Sequence, residues 1–115
     1  SDQVIWAAGQ KALKGKQWLS AITTGGAPDS YCSEGYNSRP LLDFLLPFQQ
    51  TAQLCGMSWL PPFVLHSFHK IKDPKALRRC GQDYRQLLCA LRDEQLTPAQ
   101  LGGSPYLRDL LEVLS

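Results

Sequence analysis

Apolar residues along this chain fall into short runs separated by clusters of glycine, proline and small polar residues. The run Trp18 to Thr23 is mostly apolar and bounded by Gly25-Gly26, which predicts a strand buried on both faces, as in a parallel sheet. Ser38 and Pro40 supply an N-cap and an early-helix proline. After them Leu41, Leu45, Phe48, Ala52 and Cys55 recur at helical spacing. Leu42, Phe44 and Leu46 make that helix apolar nearly all round, so it is expected to be deeply buried. Pro47 is expected to bend it, and Gly56 to close it at the C′ position. Trp59-Leu60-Pro61-Pro62 predicts an irregular strand start, regular from Phe63 to His66. Asp73-Pro74 opens a second helix whose stripe is Leu77, Cys80, Tyr84, Leu87, Leu88 and Leu91. Residues 92–103 look polar and turn-rich. Ser104-Pro105 starts a last short helix with Leu107, Leu110, Leu111 and Leu114 on one face.

Strand, helix, strand, helix implies a parallel sheet with right-handed crossovers. Two strands do not complete such a sheet, so more strands are expected upstream or from another copy. The expected division is a body over residues 1–95, and a linker with an amphipathic helix over 96–115.

The chain has 115 residues and a net charge of +2. That is too little to hold nucleic acid or an anionic membrane by charge alone. The basic stretch Lys70, Lys72, Lys75, Arg78 and Arg79 has no interleaved aromatics and reads as a solvated face. The uncharged segment Phe44 to His69 contains three prolines and several glutamines, which excludes a spanning helix. The four cysteines show no C-x-x-C spacing. Cys55 and Cys80 are expected in the core, as are Trp18, Trp59 and Phe63. Cys32 lies in a loop. His66 and His69 are expected to be satisfied or solvent-facing, with no metal site.

The segment with most chemistry is Thr23-Thr24-Gly25-Gly26, at the carboxyl end of the first strand. Ligands of open α/β sheets bind beyond strand ends of this kind. Paired glycines let backbone N–H groups approach a planar ring carrying carbonyl oxygens. Four residues alone read more readily as a tight turn out of a strand than as a site. A 15-residue connection follows, from Gly25 to Arg39, and connections this long are often functional.

Leu13-Lys14-Gly15-Lys16, Thr23-Thr24-Gly25-Gly26, Tyr31, Pro47-Phe48, Cys55-Gly56-Met57 and Trp59-Leu60-Pro61-Pro62 follow one another in order. This set resembles the C-terminal half of the NAD(P)H:quinone oxidoreductases with a flavodoxin-like fold. The ancillary subunits of bacterial glutathione-regulated potassium-efflux systems are the nearest in look. The resemblance implies an α/β chain: the C-terminal part of a flavodoxin-like three-layer fold with a parallel sheet, its N-terminal strands absent from this sequence. It implies FMN or FAD as cofactor, NAD(P)H as co-substrate, a quinone acceptor and a homodimer. It places the protein in the cytoplasm, peripheral at the inner membrane through a potassium-efflux antiporter, without membrane insertion or nucleic acid. Thr23, Thr24, Gly25 and Gly26 would hold the flavin ring edge, and Tyr31 would flank it. Asn37 stands where animal relatives carry a histidine, and Asn cannot titrate near neutral pH. The family's phosphate loop precedes this region, so weak flavin binding, or none, is expected from this chain alone. The alternative is a non-catalytic regulatory subunit docked on the antiporter.

Overall fold

The computed structural model describes residues 12–27 and 41–114. They belong to two compact units. One holds residues 12–19 and 41–60, the other 20–27 and 61–114.

In the first unit, β1 (Gln17–Trp18) runs parallel to β3 (Ser58–Trp59), with Trp18 paired to Trp59. Ser58 N–H donates to Lys16 O at 2.8 Å and Leu60 N–H to Trp18 O at 3.0 Å. A 3-10 turn over Leu41–Leu45 leads into helix α1, Leu46–Leu54. Pro47 therefore sits in the first turn of α1 rather than bending a longer helix. Its missing N–H cannot extend an α ladder back to residue 43, so the preceding turn stays tight. The helix is not deeply buried either. Leu41, Leu45 and Ala52 face inward, while Phe44, Leu46, Phe48 and Leu54 are about half exposed. Gly56 closes α1 at φ +70°. Met57 N–H bonds Ala52 O at 2.9 Å and Gly56 N–H bonds Gln53 O at 3.1 Å, the two bonds of a Schellman motif. Trp18 stacks near Phe48 and Trp59, with ring centroids 6.3 and 5.9 Å away. Trp18 and Trp59 are half-buried.

In the second unit, β2 (Ala21–Thr23) runs parallel to β4 (Phe63–Leu65) in the register Ala21–Phe63, Ile22–Val64, Thr23–Leu65. All three residues of β4 are buried. β2 is not buried on both faces: Ala21 and Thr23 are exposed and Ile22 half-buried. Among the described residues it pairs with β4 alone, without the second neighbour that a central parallel strand receives. The run 18–23 is also not one strand, since Leu19 and Ser20 interrupt it.

Helix α2 (Pro74–Arg92) starts where Lys75 N–H donates to Asp73 Oδ1 at 3.0 Å. It buries Leu87 and Ala90 and places Tyr84 against Phe63, centroids 4.8 Å apart. Leu77 and Leu88, expected in the buried stripe, are about two-fifths exposed. Cys80, like Cys55 in the first unit, is half-buried rather than deep in a core. The helix ends in a second Schellman motif, Gln95 N–H to Ala90 O at 2.9 Å and Glu94 N–H to Leu91 O at 3.3 Å. Here Glu94 occupies the left-handed position at φ +55°.

The stretch 92–103 contains a helix where polar turns were expected: α3, Pro98–Gly103. A capping box nucleates it. Gln100 N–H donates to Thr97 Oγ1 at 3.1 Å, and Thr97 N–H to Gln100 Oε1 at 2.8 Å. The last element begins as a 3-10 turn over Leu107–Leu110 and continues as α4, Leu111–Leu114. Leu107 and Leu110 are buried. Arg108 lies over the Phe63 ring, 5.7 Å from its centroid, and 3.8 Å from Asp83. Among the described residues no helix is long and apolar enough to cross a membrane.

Candidate functional site

The segment Thr23–Gly26 leaves the carboxyl end of β2, beside the turn that leaves β4. Hydrogen bonds lace the two together. Thr24 N–H donates to Leu65 O at 2.9 Å, Phe68 N–H to Thr24 O at 3.0 Å, and Ser67 N–H to Gly26 O at 3.0 Å. The Thr24 hydroxyl, on a buried residue, donates to Gly26 O at 2.8 Å and lies 3.0 Å from His66 Nδ1. Ser67 adopts the left-handed conformation at φ +52°, which an L-residue holds only when its surroundings require it.

These bonds orient the loop's amides. In a trans peptide the C=O and the following N–H point in opposite directions. The Thr24 carbonyl points at Phe68, so the Gly25 N–H is turned away from β4. The Gly26 carbonyl points at Ser67, so the Ala27 N–H is turned away from Ser67. Gly25 is exposed, and a Cβ built on it would meet nothing within 4 Å. The Cβ side of Gly25 is thus open, and backbone amides left exposed in this way can meet a planar group with acceptor oxygens, of which the isoalloxazine edge of a flavin is one.

Among the described residues, an apolar and a more polar hollow flank this unit, and neither is lined by Gly25 or Gly26. The apolar one, of about 270 Å³, has Ala21, Ile22, Thr23, Leu77, Cys80 and Tyr84 among its walls. The more polar one, of about 430 Å³, is lined by Val64, His66, Tyr106, Arg108, Asp109 and Leu111. Burial, and then the charge of Asp109, push the Tyr106 phenol above its ordinary pKa.

Thr23, Thr24, Gly25 and Gly26 thus form one loop. Tyr31, Asn37 and Cys32 lie outside the described residues, as does the expected cap at Ser38. Sequence reasoning placed His66 only as a satisfied or solvent-facing histidine and did not join it to this loop. Its signal was positional: Thr24 follows β2 and His66 follows β4 by one residue each, so parallel pairing with aligned ends sets them side by side.

A family model described as Flavodoxin-like fold matches residues 2–88. The chain belongs to that flavodoxin-like family, and its fold is α/β with parallel strand pairing flanked by helices. Among curated relatives, the glutathione-regulated potassium-efflux system ancillary protein KefG of Yersinia enterocolitica is 41% identical over 80 residues, covering 70% of this chain and 43% of the relative. The chain thus spans less than half the length of that protein. Among solved structures, an NADPH-quinone reductase from P. pentosaceus superposes with a TM-score of 0.58 at 25% identity, covering 65% of this chain and 44% of that one. A chain described as a thermophilic tryptophan halogenase from Streptomycin violaceusniger gives the same TM-score of 0.58 at 29% identity, covering 65% and 43%.

Proposed function

We propose that this chain carries the ring-edge half of a flavin site in an NAD(P)H:quinone oxidoreductase of flavodoxin-like fold. The observation that supports the reading is the laced Thr24–Gly26 loop beyond a parallel strand, which turns the Gly25 N–H away from Phe68 at an exposed glycine with open space on its Cβ side. In this reading Gly25 and Gly26 donate to the acceptor edge of FMN or FAD, and Thr23 and Thr24 set the loop's course. Tyr31 flanks the ring, and Asn37 hydrogen-bonds near it without taking up a proton at neutral pH. The flavin, when bound, accepts a hydride from NAD(P)H and reduces a quinone. The protein works as a homodimer in the cytoplasm, and residues 96–115 form a linker and C-terminal amphipathic helix that follow the flavodoxin-like body.

A second reading follows from the similarity to the potassium-efflux ancillary protein. The chain would then belong to a regulatory subunit that docks on an antiporter at the inner membrane, with flavin turnover lost.

Titration of the full-length protein that contains this chain with FMN and FAD, followed by NADH or NADPH with a soluble quinone, separates the two. Flavin uptake with a shifted visible spectrum and quinone-dependent NAD(P)H oxidation is expected for the enzyme. A full-length protein that takes up no flavin at hundredfold excess, yet co-purifies with the antiporter, overturns the first reading in favour of the second.

A further inference from the structure

The hydroxyl of Thr24 has a single proton. It lies 2.8 Å from the Gly26 carbonyl, which can only accept, so that proton is committed there. The contact between Thr24 Oγ1 and His66 Nδ1 at 3.0 Å then needs its proton from the ring. His66 Nδ1 is therefore the donor, either as the Nδ1–H tautomer of the neutral imidazole or in the imidazolium. The bond survives in both charge states of the ring.

We propose that His66 is the positioning residue of the Thr24–Gly26 loop. Its Nδ1–H fixes the rotor of the Thr24 hydroxyl, which aims that proton at Gly26 O. The same carbonyl accepts from Ser67 N–H at 3.0 Å, so both its lone pairs are used and its peptide plane is held. Phe68 N–H holds the Thr24 carbonyl in the same way. The chain that begins at the His66 ring, at the end of the neighbouring strand, thus holds the Gly26–Ala27 peptide, while Phe68 N–H sets the direction of the Gly25 amide, and together they fix the loop. The left-handed Ser67 fits this account, because it lets two consecutive amides, Ser67 and Phe68, reach the glycine loop. The inference deepens the flavin reading, since that loop is the one proposed to meet the ring edge.

Three measurements on the full chain test it. The ¹⁵N imidazole spectrum should show a protonated Nδ1 on His66 near neutral pH, and a bare Nδ1 overturns the proposal. His66→Leu, which removes the donor, should speed amide exchange of Ser67 and Phe68 by about tenfold, while His66→Asn keeps a donor at the δ position and should restore it to within about threefold. Unchanged exchange in His66→Leu, or equal loosening at Leu87 and Ala90, overturns a positioning role. FMN binding should weaken by about tenfold in His66→Leu and recover in His66→Asn. The FMN measurement uses the full-length protein that contains this chain; its failure to bind FMN counts against the flavin reading alone, and the tautomer and exchange results then decide the role of His66.

Discussion

Leu107 donates its backbone N–H to the carbonyl of Pro62 at 2.9 Å, and both side chains are almost fully removed from solvent. One bond thus ties the C-terminal segment to the residue just before β4. The double proline has no amides to give, so its carbonyl is the part of the backbone that can be used. Leu107→Ala should cost about 2–5 kcal/mol, the range for a buried leucine whose cavity only partly collapses. Urea unfolding measures it. A loss below about 1 kcal/mol would mean that the segment packs only loosely on β4.

Gly25→Ala separates folding from binding. The added methyl meets nothing, and Gly25 does not adopt a positive φ. The substitution should leave stability unchanged or raise it by about 0.4–1 kcal/mol. Flavin affinity should fall by about tenfold, because the methyl keeps a flat ring from the amide. Equal FMN affinity in titrations of both proteins would argue that the ring lies elsewhere.

Glu94 holds a conformation that glycine adopts freely. Glu94→Gly should raise the urea midpoint, by a stability gain of about 1 kcal/mol set by relief of the left-handed backbone. A lowered midpoint would mean that the Glu94 side chain contributes more than its backbone strains.

Tyr106 makes a pH prediction. Its folded pKa is raised, by burial first and Asp109 second. The folded state therefore holds the phenol proton more tightly than the unfolded chain does. The linked stability is fully present below the ordinary phenol pKa of about 10 and is lost as pH rises through the higher folded value. Phenolate absorbance titrations of the parent and of Tyr106→Phe should differ by a late-titrating group. If the group missing from the variant titrates at the ordinary pKa, the prediction fails.

Much of the local architecture was legible in the residues. Asp73-Pro74 and Gly56 carry their meaning in backbone chemistry, and each acts as expected. Thr97-Pro98 also carried a legible signal, since Gln100 three residues on completes a capping box, but the surrounding polarity disguised it. The burial of α1 was not legible. Its apolar residues surround the helix on all sides, and only packing decides which of them face inward. The loop Thr23–Gly26 was visible as a motif, yet its partner His66 was not. That contact links residues 42 apart and depends on strand register, which no local pattern encodes.

The close pairing of Trp18 with Trp59 has a practical consequence. Both belong to the first unit, whereas the second contains no tryptophan and carries Tyr84 and Tyr106 instead. Indole emission therefore reports on the first unit, and phenol absorption reports on the second once Tyr31 and Tyr36 are replaced by phenylalanine. A denaturation experiment that follows both colours at once can tell whether the two parts of this chain melt together or in turn.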